Sequence, residues 1–119
     1  MNSRDQSRLR TVLSARREQL QTTLTRVQQE FRGATTTYAD AADQAVASYE
    51  KNALHQQAEQ MSRQLQLLDD ALRRIDSGEY GECVMCGKDI SIPRLEAIPW
   101  TKFCVECQEL QEQGTFGRS

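Results

Sequence analysis

Between residues 54 and 75 the apolar residues Leu54, Met61, Leu65, Leu68, Leu72 and Ile75 follow one another at steps of seven, four, three, four and three. Alternating steps of three and four keep side chains on one stripe of an α-helix and define the seam of a coiled coil. An earlier stretch repeats the stripe less cleanly with Leu9, Leu13, Leu20, Val27 and Phe31. There Arg16 and Thr23 take the intervening seam positions, and Leu24 falls beside them. Neither helix buries enough to be stable alone, so the two are expected to pair as an antiparallel hairpin. A parallel dimer with a second chain is the alternative. The break between the stretches, Arg32-Gly33-Ala34-Thr35-Thr36-Thr37-Tyr38-Ala39, favours the hairpin, because Gly33 suits a helix C-terminus and three threonines discourage continuation. Asp40 is expected to cap the second helix, and Asp43 to sit in its first turn, where the helix dipole favours a carboxylate. That helix should run from about 41 to 76, on the order of 50 Å at ~1.5 Å per residue.

Composition changes abruptly after this region. Up to residue 77 there is no proline and one glycine, Gly33, whereas both prolines, all four cysteines, the single tryptophan and five of six glycines follow. The chain therefore divides into a coiled-coil hairpin over residues 1–77, with its tip near 34–45, and a second module over 78–119. With 38% hydrophobic residues and a mean hydropathy of -0.70, the whole is poor in core-forming side chains. A module as small as the second needs a staple beyond its core.

The cysteines supply it. Cys83 and Cys86 form one Cys-x-x-Cys pair, Cys104 and Cys107 another, with 17 residues between them. Each pair contributes two thiolates from one tight turn, and the loop brings the pairs together as a tetrahedral set of four sulfurs. Gly87 suits the sharp turn after the first pair. Two disulfides would need an oxidising compartment, and the polar start MNSRDQSRLR has no apolar signal segment. A rubredoxin-like iron site is the other alternative. Soft-metal spacing with every cysteine used favours one structural Zn2+ with no open position for catalysis. His55, the only histidine, is expected on the solvated helix surface.

The net charge of -2 argues against general nucleic-acid binding. Residues 1–33 carry seven arginines against three acids, whereas 78–110 carry six acids against three bases. An acidic metal module without a basic recognition helix is not expected to read DNA sequence. No stretch has the length of a membrane span, and the chain is expected to be cytoplasmic and monomeric.

The run GEYGECVMCGKDISIPRLEAIPWTKFCVECQ resembles the zinc finger of the DksA/TraR family of bacterial RNA polymerase regulators. The likeness covers G-x-Y-G-x-C-x-x-C-G, then I-x-x-x-R-L-E-A-x-P, then C-x-x-C, and the chain also carries the family's Asp-x-x-Asp-x-Ala tip as Asp40, Asp43 and Ala45. It extends over about residues 8 to 112. The resemblance implies a transcription factor, not an enzyme, that binds RNA polymerase directly and inserts its tip into the secondary channel. Asp40 and Asp43 would act on the mobile elements around the active centre, and Ala45 would allow close contact. Tyr38, Arg94 and Trp100 are candidate polymerase contacts. Promoter output would change through open-complex stability. Family members that share a guanosine tetraphosphate site with the polymerase carry basic residues where this chain has Leu67, Ile98 and Gln108. Weak or absent alarmone dependence is therefore expected. The alternative is a zinc-stapled protein-interaction module with no direct effect on transcription.

Overall fold

A computed structural model describes residues 1–33 and 41–113, apart from the side chains at 33, 41–44 and 47. Four helices follow in order: α1 (Ser3–Gly33), α2 (Ala41–Ser77), α3 (Ile92–Ala97) and α4 (Val105–Gln113). No strand occurs among the described residues, only an isolated antiparallel bridge between Glu82 and Asp89. The mostly helical architecture is the one expected: two long paired helices, a four-cysteine finger and a short C-terminal helix. None of the described helices is long and apolar enough to cross a membrane.

Capping explains where the long helices start and stop. Asn2 accepts the Asp5 amide on its side-chain oxygen at 2.8 Å, and its carbonyl accepts the Gln6 amide at 3.0 Å. At the end of α2 the chain reverses at Gly78, with φ 82°, and the Arg74 carbonyl takes the amides of both Glu79 and Tyr80. A side chain at that positive φ would be strained, which is why the helix stops at a glycine.

The chain forms two compact units, Arg17–Gln66 and a second made of Met1–Arg16 with Leu67–Ser119. In the first, Leu24, Val27 and Leu65 are buried, and Phe31 lies against His55 with ring centroids 6.1 Å apart. In the second, Leu9, Leu13, Leu68, Ala71 and Ile75 form the helix-helix core, and Arg10 pairs with Asp76 at its margin.

Two positions differ from the seam read from sequence. Arg16 is exposed and instead lays its guanidinium 4.9 Å above the Trp100 ring, while Arg17 is half-buried one residue on. Leu24, expected beside the stripe, is among the buried residues, whereas Leu20 is half-buried. The stripe advances by four from Leu13 to residue 17, which returns Leu24, Val27 and Phe31 to the inner side.

Candidate metal centre

The finger is organised so that two turns distant in sequence face each other. In the first, the Cys83 carbonyl accepts the Gly87 amide at 2.9 Å and the Cys83 amide donates to the Lys88 carbonyl at 2.8 Å. Gly87 has φ 76°, which closes this turn as its glycine suggested. The second turn opens α4, where the Cys107 amide points at the Cys104 sulfur at 3.5 Å.

The connection between them is fixed from its own side chains. Ser91 caps α3 by accepting the Arg94 amide at 3.3 Å. Arg94 then reaches back, its Nε donating to the Phe103 carbonyl at 2.9 Å. Thr101, buried, donates to the same carbonyl at 3.1 Å. Tyr80 donates its hydroxyl to the Pro99 carbonyl at 2.7 Å, and Leu95, fully buried, fills the space beneath. The Val84 amide bonds the Lys102 carbonyl at 2.9 Å, joining the loop directly to the first turn.

The result is that the Sγ atoms of Cys83, Cys86, Cys104 and Cys107 all lie within 4.8 Å of one another. Cys86 and Cys104 are 3.8 Å apart, far too long for a disulfide. Zn–S bonds of ~2.3 Å in a tetrahedron place neighbouring sulfurs ~3.8 Å apart, so the arrangement fits this metal. The thiols also behave as a set. Burial pushes Cys83 up, but the backbone amides of Cys104, Cys86 and Met85 outweigh it and hold the thiol at about 6. Cys107 is pushed up to about 12 by its bonds within the cluster, first to Cys104, together with burial. One thiol ionises readily and another resists; a divalent cation removes that resistance by stabilising every thiolate. Four sulfurs fill the tetrahedron, leaving no position for a reacting ligand.

Other residues singled out from sequence have distinct places. Trp100 is half-buried under Arg16, and Arg94 is committed to the loop that carries the second cysteine pair. His55 is exposed and pairs with Glu59 at 2.6 Å, one turn along α2. Ala45 is exposed near the start of α2. Tyr38 and Asp40 lie outside the described residues; Asp43 belongs to α2, but its side chain lies outside them. Sequence reasoning passed over Tyr80 and Arg74, although the tyrosine stands inside the quoted G-x-Y-G motif. Nothing in the helical pattern distinguishes Arg74 from its neighbour Arg73. It also passed over the exposed apolar residues Val46 and Tyr49 just beyond Ala45.

An antiparallel helix pair joined to a four-thiolate finger defines a zinc-finger protein whose metal is structural. Residues 78–113 match the model of the prokaryotic dksA/traR C4-type zinc finger. The chain is 28% identical over 112 residues to the RNA polymerase-binding transcription factor DksA of Haemophilus influenzae, covering 94% of this chain and 77% of that protein. An uncharacterised protein of Aquifex aeolicus is 48% identical over 54 residues, which span 44% of this chain and 37% of its relative. The solved structure of transcription factor DksA2 from Pseudomonas aeruginosa superposes with a TM-score of 0.89 at 28% identity, over 98% of this chain and 90% of that one. The chain is a DksA-like protein.

Proposed function

We propose that this protein binds bacterial RNA polymerase and regulates transcription by inserting its coiled-coil tip into the secondary channel. The observation that carries this reading is the near-complete likeness to DksA, which runs through the helices as well as the finger. In this reading residues 1–77 form the reaching arm and 78–119 the module at its base. Asp40 and Asp43 act by charge and hydrogen bonding at the tip. Exposed Ala45, Val46 and Tyr49 offer an apolar contact beside them. The effect is a shift in the polymerase's own conformational populations, not catalysis by this chain.

Alarmone dependence is weak in this reading. Leu67, Ile98 and Gln108 together line one cavity of about 520 Å3, so the three uncharged substitutions converge on a single place. Glu109 and Glu112 share its wall, and Arg94 is already bonded to the Phe103 carbonyl. A polyphosphate needs charge-assisted donors, and Lys102 is the remaining base lining the cavity.

The test is single-round transcription by purified bacterial RNA polymerase from a promoter with a short-lived open complex. Wild-type protein should inhibit, Asp43→Asn should inhibit at least severalfold less while still binding polymerase, and guanosine tetraphosphate should add little. Absence of any effect from the folded, zinc-loaded protein would favour an interaction module without direct transcriptional action.

A further inference from the structure

Arg74, in the last turn of α2, is buried, with 7% of its surface exposed. Its Nη2 donates to the Glu82 carbonyl at 3.1 Å, the peptide that leads directly into Cys83. Its Nε and Nη1 are also buried and make no hydrogen bond among the described residues. A permanently charged group in that situation is costly, because burial of an unpaired cation is not offset by a single neutral acceptor. The same guanidinium lines a cavity of about 680 Å3 whose wall includes Cys83, Met85 and Gly87 of the first metal turn. Asp70, Glu79 and Glu82 also line it, so a free anion would meet three carboxylates there. The partner of this cation is therefore to be sought in the protein's own metal centre.

Four thiolates around a divalent zinc ion leave a dianionic centre. We propose that Arg74 is its internal counter-charge, a positioning residue that ties the end of α2 to the zinc site. Two links support the assignment. The guanidinium bonds the peptide entering Cys83, and the Arg74 carbonyl holds the Glu79 and Tyr80 amides, so one residue grips both ends of the 79–82 approach to the first turn. The charge offsets the excess negative charge of the loaded centre, and zinc binding in turn relieves the cost of burying the charge. Partners just outside a metal's own ligands tune affinity in this way. The inference is independent of what the tip does.

The experiment measures zinc affinity of the full chain by competition with a chromophoric chelator, for wild type, Arg74→Met and Arg74→Lys. Arg74→Met, which keeps the aliphatic stem, should weaken zinc binding by about tenfold or more, and Arg74→Lys should stay within about threefold of wild type. Thermal unfolding of the metal-free chains supplies a readout that plain packing would not move. Without zinc, Arg74→Met should be at least as stable as wild type, because an uncompensated buried charge is gone. Zinc affinity unchanged in Arg74→Met, or lost equally in Arg74→Lys, would overturn the proposal. So would a metal-free Arg74→Met chain that loses as much stability as the loaded one. Should Arg74→Met fail to fold, Arg74→Gln takes its place against Arg74→Lys on the same criteria.

Discussion

Tyr80 carries a hydroxyl into the finger's interior, where it bonds the Pro99 carbonyl at 2.7 Å across 19 residues. That bond spans the connection between the two cysteine pairs, so the ring sets how closely they approach. Tyr80→Phe keeps the packing and leaves the carbonyl without its donor, which should cost about 1–2 kcal/mol, read from chemical unfolding of the zinc-loaded protein. Titration offers a second measurement. Burial pushes the phenol up to about 12, against the opposing pull of the Arg74 charge. A phenol held neutral in the fold contributes its full stability below its ordinary value near ~10 and loses it as pH rises from there toward about 12. Phenolate absorbance of the folded wild type should therefore lack one late-titrating tyrosine that appears on unfolding. A single ordinary titration for every tyrosine in the folded protein would contradict this placement.

At the scale of elements, the paired helices test whether burial follows the stripe or its correction. Leu13 and Leu68 are fully buried in one unit, whereas Leu20 is half-buried in the other. Leu13→Ala and Leu68→Ala should each cost about 2–4 kcal/mol, and Leu20→Ala distinctly less, by denaturant unfolding. The α2 stripe was legible because its leucines leave only one phase. Leu65, Leu68 and Ile75 are buried, with Leu54, Met61 and Leu72 half-buried alongside. Ala71, fully buried, was not legible, since a small residue betrays a close helix contact only once the partner is known. In α1 the polar pair Arg16-Arg17 interrupts the stripe, and either phase suits the flanking leucines. Tertiary contact decides it: Trp100 gives the Arg16 guanidinium a ring to lie on, so that arginine turns outward. The four metal ligands were legible because Cys-x-x-Cys spacing is a local constraint on geometry. Arg74 was not, because its acceptor and the metal turn lie eight or more residues on and only the fold brings them round.

For the whole molecule the question is how far the metal's stabilisation reaches. The finger's buried apolar residues are few, chiefly Tyr80, Ile90, Leu95 and Pro99 beside the cysteines. Set against the backbone entropy of ordering residues 78–113, so small a core does not hold without the metal. The unit Arg17–Gln66 has its own buried seam and no cysteine, so its stability does not depend on the ion. Removing zinc with a tight chelator under reducing conditions should therefore expose residues 78–113 to protease and to amide exchange while Arg17–Gln66 keeps its protection. The helical signal should fall only modestly, because α3 and α4 contain 6 and 9 residues beside 31 and 37 in α1 and α2. Re-adding zinc should restore protection, since the ligand set is local and needs no covalent step. Cooperative loss of protection along the entire chain would show instead that the seam alone cannot hold the helices together. It would make the finger the nucleus on which both units depend. Retention of finger protection without metal would show that the bonds from Tyr80, Arg94 and Thr101 suffice, and would reduce zinc from staple to ornament.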